Sequence, residues 1–201
     1  MPSLSQAKTL GGVGSILGLL GIAPSVGWVL SIVGLIMTLV AVKYISDVLA
    51  DKRIFKNMIV SVILGIGGII VLVAFVFAAI ARFIGVGNLF GASPGVPPTI
   101  PASDIISLIA SLAIGLLAAW VLIVISAVFL RMSYKSVAAR LNVGLFGTAA
   151  LLYLIGAALT IILIGFVLIF VAQILLVVAF FSLPETPPAP PSGTAPMTTT
   201  G

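Results

Sequence analysis

Apolar residues fall along this chain in long unbroken runs, separated by short charged or Pro/Gly-rich breaks. Runs of about 18 or more apolar residues with few charges read as membrane-spanning helices. The strands of a membrane β-barrel alternate apolar and polar with period two, and these runs do not alternate. The pattern predicts an all-α polytopic bundle of six helices, at about 5–22, 26–45, 57–81, 104–130, 141–159 and 163–183.

The first reversal is expected at Ala23-Pro24-Ser25, because proline lacks a donor and disfavours helix at the residue before it. A single helix over residues 10–42 would be about 50 Å long, which overshoots a hydrocarbon core of roughly 30 Å. Residues 142–183 as one helix would reach about 60 Å, so a second hairpin is expected to turn near 158–165, although no proline marks it. Charged loops are expected at 43–56 and across Arg131, Lys135 and Arg140. The prolines and glycines of 83–103 predict an extracytoplasmic loop without regular structure. Ser103-Asp104 then suits the cap of helix 4, where a side-chain oxygen accepts from free first-turn amides. The Pro/Thr-rich stretch 184–201 cannot bury a core and is expected to be a disordered cytoplasmic tail.

Lysine and arginine positions orient such a bundle. With six helices, Lys8, Lys43, Lys52, Arg53, Lys56, Arg131, Lys135 and Arg140 fall on one side and Arg82 alone on the other. Both termini are therefore expected in the cytoplasm, and the chain in the cell membrane. The first segment is expected to be retained, because cleavage after Ala23 would leave Pro24 leading the product.

Composition narrows the chemistry. Of 201 residues, 62% are hydrophobic and 6% charged, with a net charge of +5. A soluble fold carries about 25% charged residues and could not cover itself with so few. There is no cysteine and no histidine, which removes thiolate nucleophiles, imidazole bases and the commonest transition-metal ligands. Four carboxylates remain, Asp47, Asp51, Asp104 and Glu185, each expected at a helix end or in a loop. No acid/base pair or metal cluster can be assembled from them, so no enzyme, cofactor or metal is expected. A basic face with aromatic or amide readers is missing, so no nucleic-acid partner is expected either. The predicted spans carry no ionisable residue at mid-helix, which argues against proton relays and voltage sensing.

A few residues stand out within the spans. Gln173 is the one amide deep in a span. It should face another helix, either to hydrogen-bond across the interface or to line a polar path. Small residues repeat every four positions at Ser103, Ser107, Ser111, Gly115 and Ala119. Gly14 and Gly18 form a GxxxG between Gly11 and Gly21, and Ser61 and Gly65 begin a similar stripe. Such faces let backbones approach closely, within the chain or against a second copy or membrane partner. Gly65, Gly67 and Gly68 loosen helix 3 and could mark an unwound site. Trp28 suits the interface belt, whereas the deeper Trp120 should find an acceptor for its indole N–H. The basic loops could attract anionic lipid headgroups.

The two terminal hairpins, 10–42 and 146–180, place Gly11 opposite Gly147 and, after a two-residue insertion, Gly27-Trp28-Val29-Leu30 opposite Gly165-Phe166-Val167-Leu168. This is the pattern of parallel repeats, and also that of any two apolar hairpins.

Three stretches carry a family likeness. They are Leu4-Ser5-Gln6-Ala7-Lys8-Thr9-Leu10-Gly11-Gly12, Ala41-Val42-Lys43-Tyr44-Ile45-Ser46-Asp47 and Val178-Ala179-Phe180-Phe181-Ser182-Leu183. Together they resemble a mainly archaeal membrane family, domain of unknown function 996. The resemblance covers the chain from about Leu4 to Leu183. It implies a multi-pass membrane protein and transfers no activity to any residue. The sequence alone thus favours a non-enzymatic structural, accessory or partner-binding membrane protein, with a channel or facilitator for a small neutral solute as the alternative. A pore needs a polar or glycine-lined path through the bundle, whereas an accessory subunit needs an exposed small-residue face.

Overall fold

A computed structural model describes residues 3–84 and 102–186. The expected Gly/Pro loop lies outside the described residues except at its edges, as does the tail beyond residue 186. Six α-helices are described and no strand: α1 Leu4–Leu19, α2 Gly27–Val48, α3 Lys52–Ile84, α4 Ala102–Leu141, α5 Gly144–Leu159 and α6 Ile164–Phe181. Short 3-10 turns at Leu20–Ile22 and Thr160–Ile162 extend α1 and α5. Five helical segments are long and apolar enough to cross a membrane: Gly27–Val48, Lys52–Ala81, Ile105–Leu141, Gly144–Ile162 and Ile164–Phe181. The 16 residues of α1 span only about 24 Å, and its 3-10 turn makes up the rest.

Two expected loops are largely helical. In place of a loop over 43–56, α2 runs on to Val48, only residues 49–51 turn, and α3 starts at Lys52. Asp51 explains the early start, since its carboxylate accepts from the Arg53 amide at 3.1 Å and so supplies an N-cap. The stretch 131–141 likewise continues α4. Its residues are good helix formers without proline or glycine. Tyr134, Val137 and Leu141 share one buried face, while Arg131, Lys135 and Arg140 remain exposed. Hydropathy marks where a helix leaves the lipid, and these helices carry on into the polar phase. At 33 and 40 residues, α3 and α4 measure roughly 50 and 60 Å, so they tilt or overrun the bilayer. Ser103 and Asp104 fall in the first turn of α4 rather than before it, and their side chains lie outside the described set.

The helices close into a ring. Each packs on the next in chain order, and α1 closes the circle against α6. The α2–α3 seam is the thinnest of these contacts. Each described turn between helices carries one left-handed non-glycine residue: Ser25, Ala50, Asn142 or Leu163. The terminal hairpins share a build. Each has a 16-residue helix, a 3-10 turn, a left-handed residue and a second helix with glycine in its first turn. Gly27 packs on the backbone of Gly21, and Gly165 on that of Gly156 and Leu159, approaches that a Cβ would block.

The tightest packing lies at the basic end of the ring. Leu4, Ile45, Ile54, Tyr134, Val137, Phe146, Phe180 and Leu183 are each at most 2% exposed there. The Phe146 and Phe180 rings meet edge-on at 5.0 Å, and Tyr134 stacks beside both at 5.7 and 6.4 Å. Asp51 and Arg140 pair at 3.6 Å and tie the α2–α3 turn to the end of α4.

Candidate functional site

Small residues set how closely the helices approach, and their placement hollows the ring. Gly14 and Gly34 bring α1 and α2 into backbone contact. Gly115 accommodates the Phe75 side chain between α4 and α3, and Gly68 abuts the Ala119 carbonyl. Ser126 donates to the Ser61 carbonyl at 2.8 Å, its hydroxyl lies 3.2 Å from that of Ser61, and Ser133 donates to the Ile54 carbonyl at 2.8 Å. These bonds satisfy buried hydroxyls that lipid could not. Trp120 reaches across to α5, where its Nε1 donates to the Ala158 carbonyl at 3.2 Å.

Between these contacts lies a cavity of about 340 Å³ to which all six helices contribute. Its floor is formed by Met58, Tyr134 and Leu176, which belong to the packed basic end. Its opposite reach is marked by Gly18, Ser31 and Ile69. Ser15, Ser31, Thr38, Ser61, Ser126, Tyr134, Tyr153 and Gln173 bring polar side chains to the wall, and the remaining lining residues are aliphatic or glycine. No charged side chain lines it among the described residues. Nor do three His, Cys, Asp or Glu side chains come together anywhere in the described chain.

Residues singled out from sequence fall in three places. Gly14, Gly18 and Gln173 line the cavity. Gly14 does so while packed against α2, whereas nothing lies within 4 Å of a Cβ placed on Gly18. Gln173 is half-buried, and its amide makes no hydrogen bond to another described residue, so the expected interhelical bond is not formed. Gly115 is buried inside the α3–α4 hairpin. Ser111 is half-buried and returns its hydroxyl to the Leu108 carbonyl of its own helix at 2.8 Å, while Ser107 is exposed. Gly65 lines the cavity within a continuous α3, so the expected unwinding there is not observed.

Sequence reasoning missed Ser15. It is 3% exposed, lines the cavity, and its Oγ has no hydrogen-bond partner among the described residues. It lies between Gly14 and Gly18 in the sequence. A buried hydroxyl inside a glycine motif was the available signal.

Residues 30–174 match the family described as protein of unknown function (DUF996). An uncharacterized protein of Methanocaldococcus jannaschii is 34% identical over 182 residues, covering 90% of this chain and 94% of the relative. No solved structure matches the chain. The extent of the family match and the near full-length relative place this all-helical, multi-pass membrane protein in the DUF996 family.

Proposed function

We propose that this chain is a non-enzymatic accessory protein of the cell membrane that binds a small uncharged molecule inside its helix ring. The observation that carries this reading is the cavity: all six helices wall it, hydroxyl and amide groups dot it, and no charged side chain lines it. Burying an unpaired charge in such a site costs several kcal/mol, so neutral molecules are favoured. Both termini face the cytoplasm in this reading, where the exposed lysines and arginines of the basic end suit anionic lipid headgroups.

The chain has no native cysteine, so Gln173→Cys and Gly18→Cys report on the cavity directly. Small neutral maleimides should modify both at least tenfold faster than charged thiol reagents of similar size. Equal rates would overturn selectivity for neutral molecules, and no reaction at either site would overturn an accessible cavity.

The facilitator reading draws on the same cavity but needs a passage through the basic end. Tyr134, Phe146 and Phe180 fill that end at 2% exposure or less. Liposomes carrying the protein should therefore swell no faster in glycerol or urea gradients than empty ones. Excess swelling slowed by Gln173→Leu would replace the accessory reading with the facilitator.

A further inference from the structure

Ser15 sets a chemical problem that the fold leaves unsolved. A buried hydroxyl is normally hydrogen-bonded, because leaving it unpaired costs about 1–3 kcal/mol. Serine in a helix usually returns its hydroxyl to a carbonyl one turn back, as Ser136 does here at 3.0 Å. Ser15 makes no such bond, and it lies on the cavity wall. Thr38 and Gln173 line the same space.

The cavity also meets the lipid-facing surface. Ile66 and Ile69 of α3 line it and are 47% and 58% exposed. They stand beside the α2–α3 seam, where the helices touch least, and Leu35 faces the cavity from the α2 side. The opposite wall, at the basic end, is the packed aromatic core.

We propose that the cavity holds the hydroxylated head of a neutral amphiphile that enters from the lipid phase between α2 and α3, with Ser15 hydrogen-bonding the head group. This rests on the neutral-ligand reading above and names the ligand's class and source. Hydroxyl and amide groups on the wall both donate and accept, which suits an alcohol or ester head. The aliphatic remainder suits the first carbons of a chain rather than a sugar. A volume of 340 Å³ lies at the small end of ligand pockets, which start at about 300 Å³, and suits a glycerol-ester head and the start of its chain. The rest of the chain would pass Ile66 and Ile69 into the bilayer. A free polyol offers the same head chemistry from water, so the test separates the two sources.

The probe is a monoacylglycerol with a diazirine in its acyl chain, mixed into phosphatidylcholine nanodiscs carrying the full-length protein. After irradiation, adducts should map to α2 and α3 around Leu35, Ile66 and Ile69. Unlabelled monoacylglycerol should compete, whereas the matching fatty acid and glycerol should not. Ser15→Ala should cut labelling about three- to tenfold, the worth of one hydrogen bond, and leave Tm unchanged or higher, because no protein hydrogen bond is lost. Labelling indifferent to Ser15→Ala and to unlabelled monoacylglycerol would overturn the proposal. Suppression of Ser15-dependent labelling by glycerol as well as by monoacylglycerol would overturn the lipid source while leaving the neutral-ligand reading intact. Failure of that broader reading registers separately, in the reagent selectivity of Gln173→Cys.

Discussion

Gly14 of α1 and Gly34 of α2 meet backbone to backbone: a methyl group on Gly14 would lie 2.8 Å from the Gly34 carbonyl oxygen. Four residues on, a methyl group on Gly18 would meet nothing within 4 Å. The Gly18 backbone also lies against Gly34, but its side-chain position opens onto the cavity. Gly14→Ala should destabilise the protein in detergent by about 1–3 kcal/mol, the scale of overpacking. Gly18→Ala should be neutral or slightly stabilising, since alanine is the better helix former by about 1 kcal/mol. Equal losses in Tm would place both glycines in the same contact.

Gly115 makes a parallel case within the longest hairpin. Its missing side chain is the space that Phe75 occupies. Gly115→Leu should cost more than about 1 kcal/mol, measured by denaturant titration in micelles. Val121→Leu, at a position 42% exposed, should fall well below that. A Gly115→Leu protein as stable as its parent would mean α4 does not press on α3 there.

The Ser61–Ser126 pair is suited to a double-mutant cycle. The two hydroxyls lie 3.2 Å apart, and Ser126 also donates to the Ser61 carbonyl. Alanine at each and at both should give a coupling energy of about 0.6 kcal/mol, the average for polar pairs in membrane bundles. A coupling of zero would show that the Ser126 hydroxyl is held by the Ser61 backbone alone.

Leu163 turns the chain from α5 into α6 with φ of 64°, and it is 73% exposed. A bulky residue in the left-handed region carries a cost of about 1–2 kcal/mol, which glycine avoids. Leu163→Gly should raise Tm, as few contacts within the fold are lost. A drop in Tm would show that the leucine contributes through contacts with lipid or detergent that outweigh the backbone cost.

Sidedness can be read with single cysteines in this cysteine-free chain. Lys52 and Ala139 are exposed at the basic end. Lys52→Cys and Ala139→Cys should label together, from the cytoplasmic side only. Ser93→Cys, in the stretch between α3 and α4, should label only from the opposite face. Labelling of Lys52→Cys and Ser93→Cys from one side would break the six-helix topology.

Much of this architecture is legible in the sequence. Run lengths and Pro24 imply the hairpins, and the second terminal reversal, at Thr160–Ile162 and Leu163, lies inside the window set by helix length alone. The unpaired indole of Trp120 calls for an acceptor, and Ala158 provides one. These features are local: hydropathy, rise per residue and backbone propensity act on neighbours in the chain. Hydropathy overstated the loops, because Asp51 and the helix-forming residues 131–141 keep the chain helical after it leaves the lipid. Which glycine packs and which stands open was decided only in three dimensions, as were the closing of α1 against α6, the place of Gln173 on a cavity wall and the unpaired Ser15. In lipid no hydrophobic force distinguishes one apolar helix face from another. Lateral contacts follow shape complementarity between distant segments, so the four-residue spacing of small residues marks where helices can approach but not which partner each one meets.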